Sequence, residues 1–119
     1  MLDVKFWWIK ELRKMKKVRV SFFVKPKTPC EKLFIVGSSS SLGFWDPKKA
    51  TELRYNLETE SFECIKYLPL GDVVEFKFTT SKDWLGVEKG IWNEEISNRW
   101  IVPKKGMKQD LTIETFRKE

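Results

Sequence analysis

Three tryptophans of this 119-residue chain, Trp45, Trp84 and Trp92, fall in stretches rich in Gly, Asp, Lys or Asn, where a buried indole is out of place. An indole left in water is a flat apolar plate, and the faces of pyranose sugars carry axial C–H groups that pack on such plates. Stacking on aromatic side chains is worth about 1–3 kcal/mol per ring in the comparable case of nucleic-acid bases. The polar edge of a sugar also needs fixed donors and acceptors. Lys77, Asn93 and Asn98 are the candidates, because Lys77 lies on the polar face of an alternating segment and the two asparagines follow Trp92 within six residues. The competing reading for any one tryptophan is packing in the core or under a loop.

Other chemistries fare worse. The chain has no histidine, which removes the commonest general base, the commonest metal ligand and the Ser-His and Cys-His nucleophile pairs. Two cysteines, Cys30 and Cys64, are too few for a zinc site, lack CxxC spacing and read as free thiols. Glu94 and Glu95 are adjacent, so on a strand they point to opposite faces and make a poor acid/base pair. No glycine-rich phosphate loop or nucleophile elbow is present. The composition therefore points to a binding module without catalytic activity or cofactor.

A net charge of +6 raises the question of nucleic acid, yet the lysines are dispersed from Lys14 to Lys105 and interleave with acidic residues after Lys49. That pattern describes a solvated surface rather than a phosphate-tracking groove, so no nucleic-acid partner is expected. There is no apolar run long enough to span a membrane, and with no signal peptide visible the expectation is a reducing, cytoplasmic setting.

These side chains need a scaffold, and the hydrophobic pattern supplies one. Residues 1–17 read as a basic amphipathic helix. Val4, Trp8, Leu12 and Met15 form one stripe, with Lys10, Arg13, Lys14 and Lys17 opposite. Such a helix would cover the remaining domain or dock another subunit or domain. From residue 18 to 119 the period becomes two. Val18, Val20, Phe22 and Val24 alternate with polar or outward positions, and Val74, Phe76 and Phe78 alternate with Glu75, Lys77 and Thr79. Lys32 to Val36 is apolar throughout, as a strand covered on both faces requires. Short pairing is expected over Glu52–Arg54, a strand over Ser61–Leu68 without a readable face, and closing strands over Trp100–Val102 and Asp110–Phe116. Residues 81–97 read as a long loop with one short strand near Trp92, and Trp100 reads as core. Seven to eight short strands between Gly and Pro turns predict an all-β, immunoglobulin-like antiparallel sandwich or open barrel.

The organising stretch is Leu33–Pro47, where a buried strand breaks at Gly37, crosses a serine-rich loop and presents Trp45 in a turn. The elements ValGlySer at 36–38, LeuGlyPheTrpAspPro at 42–47, LeuPro at 68–69, GluPheLysPhe at 75–78, Trp92 and AsnArg at 98–99 recur in this order. In them the chain from Val18 to Glu119 resembles the starch-binding domains of carbohydrate-binding module family 20. The resemblance implies a small antiparallel β-sandwich that binds starch, glycogen or maltooligosaccharides. It implies a principal site in which Trp45 and Trp92 stack on adjacent glucose units while Lys77 and Asn98 hold the hydroxyl edge. Asn93 stands where the family often has an acidic residue. Trp84 is additional, and either extends the platform or anchors its loop. A second family site draws on an aromatic before the Leu33 strand. Pro29 or Cys30 stands there, with Tyr55 and Phe62 in the positions of its other aromatics.

Overall fold

The computed structural model describes residues 16–118. The first strand, β1 (Lys17–Pro26), forms because β-branched and aromatic residues alternate with polar ones, and Val18, Val20, Phe22 and Val24 are all buried. It stops at Pro26, which has no N–H to continue a ladder. Most of the expected helix over 1–17 lies outside the described residues, and Lys17 already belongs to β1.

The remaining strands are β2 (Leu33–Gly37), β3 (Thr51–Asn56), β4 (Ser61–Pro69), β5 (Val74–Thr79), β6 (Glu88–Lys89), β7 (Arg99–Ile101), β8 (Met107–Ile113) and β9 (Thr115–Phe116). Seven of them form one sheet in the order β7-β5-β2-β3-β4-β1-β8, and β6 pairs with β9 in a small separate ribbon. The sheet cannot be flat. Phe22 of β1 and Phe76 of β5 are four strands apart, roughly 19 Å in a planar sheet. Their ring centroids nevertheless lie 5.4 Å apart, edge to face. The sheet therefore curls into a half-barrel whose interior holds Val20, Phe22, Leu33, Ile35, Leu53, Leu68, Phe76 and Phe78.

One side chain bridges the open side. Arg99 on edge strand β7 donates from Nη2 to the carbonyl of Thr112 on the other edge strand, β8, at 2.7 Å. Its guanidinium also covers the Phe78 ring at 5.3 Å. One pairing departs from an all-antiparallel architecture: β1 runs parallel to β8, with Val20 opposite Met107 and Val24 opposite Leu111.

Strand β4, whose faces the sequence leaves ambiguous, is settled by its register. Phe62, Cys64 and Leu68 stand opposite Val24, Phe22 and Val18 and share their inward face. Ile65 and Tyr67 point out and stay exposed, so apolar residues mark both faces. Trp100, expected in the core, is 65% exposed because it lies opposite Glu75 on the outer face, while its neighbour Ile101 is buried opposite Val74. Both cysteines are free, and burial pushes the Cys64 thiol up to about 11, away from thiolate chemistry.

Candidate functional site

Strand β2 is buried along its whole length, which means both of its faces are covered. Leu33 and Ile35 face the half-barrel interior, whereas Phe34 and Val36 form a second, outer cluster with Ala50. What covers that outer cluster is Trp84. The site is built on this outer face.

Trp45 reaches it through a tight turn after β2. Gly37 leaves no room for a Cβ, which would come within 2.9 Å of Leu42 and Phe76, and the chain turns there. The N–H of Trp45 then donates back to the Gly37 carbonyl at 2.8 Å. Three successive residues, Gly43, Phe44 and Trp45, have φ of 84°, 51° and 62°. The left-handed conformation costs a side-chain-bearing residue about 1–2 kcal/mol, so the surrounding hydrogen bonds must hold this turn. Asp46 contributes by capping the following 3-10 turn, accepting from the N–H of Lys48 at 3.0 Å.

Trp84 arrives from the other side on the loop after β5. That loop is closed by Thr80 N–H to the Gly86 carbonyl at 3.0 Å and Val87 N–H to the Trp84 carbonyl at 3.2 Å. Trp84 is also left-handed, at φ 61°. The Trp45 and Trp84 rings stand with centroids 6.2 Å apart and planes inclined by 37°. Together with Lys77, Asn98, Val87, Glu95 and Arg117 they line an open groove of about 520 Å³.

The polar members are fixed from below. Lys77 is half-buried on β5, opposite Val36, and its Nζ donates to the Ile96 carbonyl at 2.8 Å, tying the strand to the loop that carries Asn98. Glu88 is fully buried. Its Oε2 accepts from the N–H of Phe78 at 2.8 Å, and its Oε1 accepts from Arg99 Nε at 2.9 Å. Burial pushes the Glu88 carboxyl up, while the charge of Arg99 and the Phe78 N–H pull against that shift. Lys89 is buried and paired with exposed Glu95, and that hydrogen bond holds the Glu95 carboxyl below its ordinary range. Both glutamates thus have structural partners, as does Glu94, which accepts from the N–H of Trp92 at 2.9 Å. No group of three or more His, Cys, Asp or Glu side chains that could hold a metal ion occurs among the described residues.

Of the six candidate residues, the structure brings Trp45, Lys77, Trp84 and Asn98 to one groove. Trp92 and Asn93 lie elsewhere. The ring beside Trp45 is therefore that of Trp84, not Trp92. The short strand expected near Trp92 is Glu88–Lys89, and Trp92 follows it on a loop, 86% exposed. Trp92 lines a separate hollow with Thr28, Ile91, Asn93, Glu114, Thr115 and Lys118. Asn93 is engaged structurally, its Nδ2 donating to the Phe116 carbonyl at 3.2 Å. Glu95, weighed in the sequence only as half of a poor acid/base pair, and Arg117, which sequence reasoning did not single out, join the groove's rim. The aromatic pair Tyr55–Phe62, with centroids 5.0 Å apart, borders a third hollow that Pro29 and Cys30 also line.

The family model described as Starch binding domain matches residues 17–112. Among solved structures, the family 20 carbohydrate-binding module of the maltotetraose-forming amylase from Pseudomonas saccharophila STB07 is 22% identical with a TM-score of 0.60. The likeness covers 80% of this chain and 99% of that one. Glucoamylases from Hypocrea jecorina and Hormoconis resinae are each 22% identical, with TM-scores of 0.65 and 0.63. In both cases 84% of this chain is covered but only 18% of the glucoamylase. At such identities the structural likeness speaks for the fold, whereas the family match spans most of the sequence: the chain belongs to the starch-binding domain family.

Proposed function

We propose that this domain binds α-1,4-glucans, such as starch, glycogen or maltooligosaccharides, by stacking successive glucose units on Trp45 and Trp84. Family membership supports carbohydrate binding by a module that is not itself an enzyme. The observation that carries the finer reading is the inclined pair of indoles with an ammonium and an amide side chain in the same groove. Two plates at 37° suit a chain that bends from one sugar to the next, as α-1,4-linked glucose does, and suit flat β-linked chains poorly. Asn98 and Arg117 supply hydrogen-bond donors along the rim, with Glu95 as acceptor. Lys77 keeps a carbonyl partner and offers its two remaining N–H groups to sugar hydroxyls.

The groove is open and shallow, so a single copy binds weakly and firm attachment to starch granules calls for several modules or a larger host protein. The chain spans only 18% of the glucoamylases it resembles, and an appended role in an amylolytic or glucan-modifying protein is part of this proposal. The test is retention on insoluble starch with soluble β-cyclodextrin as competitor, for the wild-type chain and for Trp45→Ala. Retention of the wild type, its release by β-cyclodextrin and loss of the variant support the reading. A variant retained like the wild type overturns the assigned groove.

A further inference from the structure

We propose that Glu88 is the positioning residue of the groove, holding Lys77 and Asn98 in register with the tryptophan pair without touching the sugar. The inference deepens the glucan-binding reading and rests on it. Glu88 is completely buried, yet a buried carboxylate is expensive unless every lone pair finds a partner. Its partners come from the segments that carry the groove. Oε2 takes the N–H of Phe78, the residue after Lys77 on β5. Oε1 and Oε2 take the Nε of Arg99, the residue after Asn98 at the start of β7, at 2.9 and 3.2 Å. Glu88 itself follows Val87, which lines the groove floor.

One carboxylate thus joins three chain segments directly beneath three lining residues. Arg99 also donates to the Thr112 carbonyl and covers the Phe78 ring, and the Glu88 carboxylate is the charged partner of its guanidinium. Residues 90–97, between Glu88 and Asn98, contain only the Gly90–Glu94 and Gly90–Asn93 backbone hydrogen bonds. Asn98 thus sits between two anchors, Ile96, whose carbonyl takes Lys77, and Arg99, whose Nε is held by Glu88.

The experiment is calorimetric titration with maltoheptaose of wild type, Glu88→Gln, Asn98→Ala and the double variant, each checked for folding by circular dichroism. Glutamine can still accept from Phe78 but presents no charge to Arg99, so Asn98 is released while Lys77 stays placed. Affinity should fall roughly tenfold in Glu88→Gln, and the double variant should lose little beyond Asn98→Ala alone, as residues in one hydrogen-bond network do. Val18→Ala, a core truncation on β1, should lower the melting temperature and leave affinity unchanged. If Glu88→Gln does not fold, the pair Glu88→Gln with Arg99→Gln, which leaves no unpaired charge, carries the same comparison. Full affinity in folded Glu88→Gln, or losses that simply add in the double variant, overturns the inference while leaving the groove intact. A wild type that fails to bind maltoheptaose overturns the inference and the glucan reading together.

Discussion

Trp84 and Trp92 lie on the same stretch between β5 and β7, both in polar surroundings, and the fold treats them in opposite ways. Trp84 packs one side against Phe34, Val36 and Ala50 and leans toward Trp45. Trp92 is 86% exposed beside the exposed Ile91, at a loop held mainly by backbone contacts and by Glu94. A stacking platform needs an indole whose position is set before the sugar arrives, because ordering a free side chain on binding costs about 0.5–1.5 kcal/mol. Only Trp84 is seated on a cluster of the scaffold. The contrast teaches that polar neighbours in sequence are a poor guide to which tryptophan is seated on the scaffold, since the seating contacts come from a distant strand.

The largest expected effect comes from the ring common to every version of the site. Trp45→Ala should weaken maltoheptaose binding by about fivefold to a hundredfold, on a stacking contribution of about 1–3 kcal/mol, measured by titration calorimetry. An unchanged affinity would remove the groove from consideration. Next is the turn that aims this ring. At Gly43 (φ 84°) a Cβ would come within 2.8 Å of the Lys49 carbonyl oxygen, so Gly43→Val should destabilise the fold by about 2 kcal/mol or more and blunt binding with it. Denaturant unfolding checks the first effect, and titration well below the midpoint checks the second.

Lys77→Met should cost about 1 kcal/mol of stability through loss of the Ile96 contact, together with a several-fold drop in affinity. No change in either would mean that the β5 end of the groove is passive.

Acid sharpens the contrast further, because Glu95 borders the groove while its partner Lys89 is buried. The folded pKa of Glu95 is lowered, so the unfolded chain binds its proton first. The ion pair contributes stability above the ordinary glutamate range, and that contribution is lost as pH falls through the depressed value. Glu88 has the opposite sign. Its raised folded pKa favours the native state at low pH, and that advantage fades as pH rises through the carboxylate range. The melting temperature of Glu95→Gln should therefore fall less steeply than that of the wild type on acidification. Parallel curves would show the Lys89–Glu95 pair to be energetically silent.

The smallest effect is that of salt. Glucan affinity should hardly move between low and moderate ionic strength, whereas a steep decline would indicate a phosphate-bearing ligand and favour nucleic acid.

Much of this architecture is readable in the chain itself, for identifiable reasons. β1 and β5 each bury one face, so their alternation is clean, and β2 buries two, so its run is apolar throughout. β4 resists because Ile65 and Tyr67 put apolar groups on its outer face. The parallel β1–β8 pairing joins the two ends of the chain, and no local pattern encodes a register between them.

The groove is legible in its residue types and only partly in its pairing. Trp45, Lys77 and Asn98 come from a turn, a strand and the residue just before another strand, all within the quoted motifs. The choice between Trp84 and Trp92 depends on what covers Phe34 and Val36. A signal for it exists: a strand apolar on both faces demands a large side chain on the outside, and Trp84 lies only a few residues beyond the end of β5, the strand that pairs with β2. Trp100 teaches the converse, since its apolar character suggested core, but the register with Glu75 turns it out.

The most direct measurement is a side-by-side titration of maltoheptaose into Trp84→Phe, Trp84→Ala and Trp92→Ala, with melting temperatures recorded for each. Affinity should be largely kept in Trp84→Phe, fall about tenfold in Trp84→Ala and stay within twofold of wild type in Trp92→Ala. Loss of binding in Trp92→Ala with full affinity in a folded Trp84→Ala would contradict it.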